Sequence, residues 1–329
     1  MTRHLLDKVY GPMIVEEPVI LALLATTGMQ RLQGVLQHGI SALIDITAPV
    51  TRWEHSLGVM RLIRWMGGGI EEQLAGLLHD VSHTAFSHVI DYVVAGHDSQ
   101  SYHDEMKETY VAGTDIPAAL AQFGYDWRML LDEAGFPLLE QPAPRLCADR
   151  LDYFLRDAME LRLATPAGVR AALAHLVVHD RRIMVDDLAT ARWLGYTYIA
   201  ADKASWANFR EVGLYELAAR AIRRGLACGA ITEANFWGED RPVWARLQAF
   251  PDPELQRLLS LVSPDTRFLW DDKEPTFRIS TKIRTIDPEV IIEGQAVPLS
   301  LLDERFGRYH AHYLETRQGK WPFRVLSPA

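Results

Sequence analysis

Residues 51–60 read TRWEHSLGVM, and residues 77–88 read LLHDVSHTAFSH. In "WEHSLGVMRLIRWM" and "IEEQLAGLLHDV" apolar residues recur at three- and four-residue steps, the period of an amphipathic helix. "MGGGI" at 66–70 interrupts the two runs and carries no Gly-Lys-Ser/Thr, so it reads as a turn rather than a phosphate-cradling loop. Two helices joined by so short a turn run antiparallel. The start of the first then lies beside the end of the second, and His55 is expected to approach the His79-Asp80 pair. Taken singly, a histidine at 55 is an ordinary partly buried residue, and His83 and His88 are ordinary surface residues. Meeting in one place, imidazoles and a carboxylate supply what a divalent cation needs, namely several N and O ligands on rigid elements.

A fourth ligand has to come from elsewhere. In "CADRLDYFLRD", residues 147–157, Asp149, Asp152, Tyr153, Arg156 and Asp157 share one helical face, while Leu151, Phe154, Leu155 and Ala158 form the apolar complement. The polar stripe is either a solvated face or a pocket wall.

The rest of the chain is predicted to be mainly α. Further helices are read in "TTGMQRLQGVLQHG", "AFSHVIDYVV", "PRLCADRLDYFLRDAMEL" (with Pro144 in its first turn), "DLATARWLGYTYIAADKASW" and "FREVGLYELAARAIRRGL". "HLVVHDRRIMVDD" reads as a hairpin near 175–186, turning at Asp180 and Arg181. From 266, "RFLWDD", "TFRISTKIRTI" and "EVIIEG" are β-rich, followed by a helix, "LSLLDERFGRYHAHYLETR", and a closing "WPFRVL". The expected organisation is a mostly helical domain with its core over 1–165, a helical extension completing it over 166–265, and a small α+β unit over 266–329.

Bulk properties exclude some classes. The net charge of −9 disfavours long nucleic acid as the main partner but allows a small phosphorylated one at a local positive pocket. No apolar run reaches the roughly 18 residues that span a bilayer, and the start "MTRHLLDKVYGP" has no apolar signal core. Two cysteines, Cys147 and Cys228, read as free thiols, so a reducing cytoplasmic setting is expected.

The order H…HD…D resembles the HD-domain metal-dependent phosphohydrolases, with an HD-domain helical core. "RWEHSLGV", "AGLLHDVSHTAFSH", "DRLDYFLRD" and the earlier "DKVYGPMIV…MQRLQGVLQHG" are similar to the deoxynucleoside triphosphate triphosphohydrolase branch typified by the SAM-and-HD-domain dNTPase. The resemblance implies that His55, His79, Asp80 and Asp149 hold a divalent metal: Mn, Fe, Ni, Co, Zn or Mg. It implies catalytic roles for Arg52, His83, His88, Asp91 and His103, with His83 and His103 as proton donors and His88 with Asp91 as an orienting or water-activating pair; the extra histidines could alternatively hold a second metal. Gln37, Tyr153 and Asp157 would read the deoxyribose 3′-hydroxyl, and Arg150 a phosphate. Lys203, Arg210 and Tyr215 stand in for the family's phosphate-tail residues, where this chain departs from the pattern. Glu54 is expected beside the metal ligands or at the helix terminus. The implied reaction is conversion of a dNTP to deoxynucleoside and triphosphate by metal-activated water, the implied assembly a homo-oligomer. Hydrolysis of a monophosphate or another phosphoester is the alternative, and a non-catalytic nucleotide sensor is a third reading.

Overall fold

Thr51 starts the first helix of the central pair. Its hydroxyl accepts from the Glu54 backbone N–H, and the Glu54 carboxylate accepts from the Thr51 N–H, a reciprocal cap that opens the Arg52–Trp65 helix. Glu54 is therefore a helix-terminus group. In the computed structural model, which describes residues 2–94 and 100–326, Gly67 turns the chain at φ +81° and the Ile70–Leu78 helix returns antiparallel. Gly76 sits so close to Ile63 and Val59 that a Cβ there would lie 2.7 Å from the Ile63 side chain. That close approach sets the spacing of the pair.

The Ala148–Glu160 helix crosses the first of these, burying Leu151, Phe154, Leu155 and Ala158 against Val59, Leu62 and Ile63. On its other side it meets the Leu188–Ala201 helix through Leu194 and Tyr198. Pro144 lies upstream of this helix, which begins after Cys147, so it is not a first-turn residue.

Helices dominate, with three small sheets among the described residues. Arg3–Asp7 and Gly11–Val15 pair as an N-terminal hairpin that the periodicity did not suggest. The expected hairpin is present as Leu176–His179 and Arg182–Val185, with Asp180 and Arg181 both at positive φ. Its second strand runs parallel to Glu289–Ile292 through Val185 and Val290, and Gln295–Pro298 closes the sheet. Trp321–Leu326 is flanked by Arg267–Trp270 and Phe277–Ile279. Ile286, Val290, Leu299, Phe306 and Tyr313 join the same core as the central helices.

Several expected elements are shorter, because tertiary hydrogen bonds claim their backbone. "TTGMQRLQGVLQHG" forms only Thr27–Gln30 and a 3-10 turn, Arg31–Gly34. Beyond it the chain pairs with residues 50–52, Gln37 N–H donating to Val50 and Arg52 N–H to Val35. "AFSHVIDYVV" is helical only over Val89–Val93. Ala85 donates to the Phe236 carbonyl, Phe86 donates to the buried Asp240 carboxylate, and Phe86 and Ser87 are left-handed. "TFRISTKIRTI" is a strand only over Phe277–Ile279, after which the chain runs without a ladder to 288. The helix after 299 is split at Asp303, whose carboxylate caps the second piece, Glu304–Arg317.

Gly58, one turn beyond His55, faces the Asp152–Arg156 pair, and a Cβ there would stand 2.0 Å from Asp152 Oδ1 and 2.1 Å from Arg156 Nη2. Gly58→Ala is expected to destabilise the protein by about 1–3 kcal/mol, since neither buried partner can retreat. Urea denaturation measures the change, and unaltered stability would mean that this crossing tolerates a methyl group.

Candidate active site

Four ligand atoms converge where the central helices cross. His55 Nε2 lies 3.1 Å from His79 Nε2 and 3.0 Å from Asp149 Oδ1. Asp80 Oδ2 is 3.5 Å from His55 Nε2 and 3.6 Å from His79 Nε2, and Asp149 Oδ1 is 3.5 Å from the latter. His79 sits at the end of its helix, Asp80 just beyond it, and Asp149 in the first turn of Ala148–Glu160. The expected His55–His79–Asp80 meeting is observed, and Asp149 completes it.

The backs of both imidazoles are committed. His55 Nδ1 donates to Asp152 Oδ2 at 2.8 Å, and His79 Nδ1 donates to the Gly76 carbonyl at 2.8 Å. In their neutral forms both rings therefore present the Nε2 lone pair to the same point, which two carboxylates also face. This donor set fits a divalent cation. Without one, the cluster retains protons instead. Burial works against an imidazolium at His79, but the Asp80 charge and the Asp149 hydrogen bond outweigh it and raise the pKa to about 9. His55 is raised in the same way, burial being overcome by bonds to Asp149 and Asp152. Burial is likewise overridden at Asp80, held well below the carboxylate range by Arg52 and the histidines, and at Asp149, held down by His55 and His79.

The helical stripe divides in two. Asp149, Tyr153 and Asp157 face a cavity of about 850 Å³, whereas Asp152 and Arg156 lie behind His55. Arg156 donates to both Asp152 oxygens, at 2.7 and 3.0 Å, and to Asp7 at 2.7 Å. Periodicity alone placed all five together; the helix is wide enough for its polar face to serve both a pocket and a buried ion pair.

Beside the quartet, Arg52 donates to Asp80 Oδ2 at 2.5 Å and to Ser87 Oγ at 3.2 Å. His83 Nε2 is 3.2 Å from Asp80 Oδ1, its ring stacks on His103 at 3.8 Å, and His88 meets both rings edge-on. Asp91, away from the cavity wall, bonds His88 Nδ1 at 3.1 Å. Burial, then nearby cations, hold His83 and His88 well below the usual imidazole range, and burial pushes His103 down to about 4. These shifts favour the neutral form of all three rings. A proton donor among them works through a neutral N–H until the charge of a bound phosphate raises its basicity.

Gln37, Arg150, Tyr153, Asp157 and Tyr215 also line the cavity. Asp157 is already engaged, taking a hydrogen bond from His38 Nε2 at 2.9 Å and one from Trp206 Nε1 at 2.6 Å. Arg150 is tied to Glu140 at 3.0 Å and to the Gln141 carbonyl. Lys203 and Arg210 are not in the wall. Lys203 bonds the Tyr309 hydroxyl at 2.8 Å and lies over the Tyr309 and Tyr313 rings, and Arg210 bonds the Pro264 carbonyl. Lysine and arginine instead enter from Lys282 and Arg284, with Tyr198 and Trp206 adding aromatic surface. The alternating "TKIRTI" was the available signal for these two cations, but it reads equally well as an exposed strand.

Residues 52–156 match the HD domain. The metal-dependent phosphohydrolase cns2 of Cordyceps militaris is 36% identical over 320 residues, covering 94% of this chain and 92% of its own length. This chain is an HD-domain metal-dependent phosphohydrolase. A second relative of this HD-domain protein, YdhJ of Bacillus subtilis, is 36% identical over 315 residues, covering 95% of this chain and 96% of its own. A phosphohydrolase from Bacteroides thetaiotaomicron shares the fold at TM-score 0.72 and 17% identity, covering 99% of this chain and all of its own. A hypothetical protein from Aquifex aeolicus does so at 0.71 and 19%, covering all of this chain and 97% of its own. The phosphohydrolase uses a divalent metal, and the His/Asp cluster is chemically suited to one. No helix of the described residues is long and apolar enough to cross a membrane.

Asp152 touches the back of His55 rather than the ligand centre. Asp152→Asn is expected to weaken metal binding roughly 10- to 100-fold by loosening the ring. Metal titration checks it, with the helical circular-dichroism signal retained; wild-type affinity would remove Asp152 from this role.

Proposed function

We propose that this phosphohydrolase converts a deoxynucleoside triphosphate to deoxynucleoside and triphosphate, water attacking the α-phosphorus. One observation carries the reading. His79, Asp80 and Asp149 line a cavity that also holds Arg52, the imidazoles of His83, His88 and His103, and an aromatic cluster of Tyr153, Tyr198 and Trp206, whose rings lie 4.9–6.2 Å apart. A nucleotide offers the matching pair of surfaces, charged phosphate and planar base or sugar. The 850 Å³ volume lies within the roughly 300–1,000 Å³ typical of small-molecule sites.

In this reading His55, His79, Asp80 and Asp149 hold the metal, which when bound polarises the phosphoryl group and makes water acidic. Arg52 holds Asp80 in place and adds positive charge beside the reacting phosphate. His83 and His103 pass the proton to the leaving oxygen, and Asp91 orients His88. Gln37, whose side-chain oxygen is buried without a hydrogen-bond partner, accepts a sugar hydroxyl with Tyr153 and Asp157 beside it. Tyr215 braces the wall by donating to the His38 carbonyl at 3.0 Å.

A second reading, hydrolysis of a monophosphate or another phosphoester at the same metal, is favoured by one feature. Asp157 and Arg150, needed for the sugar and an extra phosphate, are already bonded within the protein.

Purified protein incubated with dNTPs, NTPs and nucleoside monophosphates distinguishes the two. Intact triphosphate released from a dNTP is the expected product, and orthophosphate released from monophosphates alone would establish the second reading. The double variant His79→Ala/Asp80→Ala is expected to lose bound metal and at least roughly 10²-fold in turnover, the scale of removing key transition-state stabilisation. Wild-type turnover by that variant would refute the ligand set.

A further inference from the structure

Residues 280–288 form no ladder, yet they are tied down along their length. The Arg284 backbone N–H donates to Asp202 Oδ1 at 3.3 Å, and Asp202, fully buried, also accepts from the Tyr313 hydroxyl at 2.7 Å. Thr285 Oγ1 bonds His310 Nε2 at 2.9 Å. Asp287 accepts from the Ser300 N–H at 2.8 Å, and its own N–H donates to the Pro144 carbonyl. Ile283 packs against two of the hydrophobic clusters. The segment is a fixed strap across the cavity, and it carries Lys282 and Arg284 into the wall.

These two cations differ from the other positive groups around the site. Arg52 is paired with Asp80, Arg150 with Glu140 and Arg156 with Asp152 and Asp7. Among the described residues neither the Lys282 ammonium nor the Arg284 guanidinium forms an ion pair with a carboxylate; the guanidinium bonds the Gln100 side chain and the Lys282 carbonyl. Partial burial and the neighbouring Arg284 charge both disfavour the Lys282 ammonium. The same two cations help suppress protonation of His88, so they act across the cavity. Two like charges held together with no direct ion-pair partner, and only the longer-range fields of Asp149 and Glu140 at Lys282 and of Asp202 at Arg284, are costly unless a ligand supplies one.

We propose that Lys282 and Arg284 form a subsite for a second anionic group of the substrate, the phosphates beyond the one attacked. The assignment rests on the phosphohydrolase reading of the same cavity and makes polyphosphorylated compounds its substrate class. The metal quartet and Arg52 serve the reacting phosphorus. The strap serves the tail, and its rigidity means that the two charges are in place before binding.

Calorimetric titration of the full chain with inorganic tripolyphosphate and with orthophosphate tests it. Wild type is expected to bind tripolyphosphate at least tenfold more tightly than orthophosphate. Lys282→Ala and Arg284→Ala should each weaken tripolyphosphate about tenfold and orthophosphate less than twofold, and Arg284→Lys should recover part of the loss. Equal binding of the two anions by wild type, equal losses for both, or unchanged tripolyphosphate affinity in both alanine variants would overturn the subsite. The outcome is separable from the triphosphohydrolase reading. If dNTPs release no triphosphate but tripolyphosphate binding still needs Lys282, the tail subsite stands and the position of attack is what fails.

Discussion

Two imidazole nitrogens 3.1 Å apart, both turned the same way by hydrogen bonds at their backs, are the constraint around which this molecule is arranged. Neutral rings in that pose repel, and charged ones have to be neutralised. The protein places two carboxylates on the same point, and the resulting buried cluster of like donors is stable only around a proton or a metal. Keeping the rings so close requires rigid supports. Asp152 is locked by Arg156 behind His55, Gly58 makes room for that ion pair, and the Gly76 carbonyl holds His79.

Around this centre positive charge is graded. Arg52 is consumed by Asp80 and steadies a ligand, and Arg150 is consumed by Glu140. His83, His88 and His103 are pushed toward their neutral forms by burial. Among the described residues, cationic side chains without a direct ion-pair partner are left on the 280–288 strap, on the far part of the chain from the HD motif. The HD segment supplies the His/Asp cluster suited to a metal, and the C-terminal residues add cationic side chains to the cavity wall. The cavity is lined, in sequence terms, by residues from 37–157 and from 198–314.

The approach of His55 to His79 and Asp80 was legible because its logic is local, whereas Asp149 came only from the resemblance. A helix, a glycine turn and a returning helix dictate that position 55 meets positions 79 and 80, whatever the rest of the chain does. The acidic stripe was half legible. Its period placed Asp149, Tyr153 and Asp157 together, but whether Asp152 and Arg156 faced the same cavity depended on which neighbour covered each side. Lys203 and Arg210 were misplaced because basic residues on a predicted helix carry no mark of direction. Tyr309 and Pro264, distant in sequence, decide where they point.

Taken alone, the amino-acid order determined the helical pair, the turn between them, and hence the His55–His79–Asp80 juxtaposition, because helical period and chain reversal act over a few residues. Tertiary structure decided what the order could not. It curtailed helices where backbone groups were claimed by Asp240 and residues 50–52. It split the 149–157 stripe between cavity and interior, and it brought Lys282 and Arg284 to the site in place of Lys203 and Arg210. Each of those outcomes depends on partners far along the chain, whose hydrogen bonds and charges exist only after it has folded.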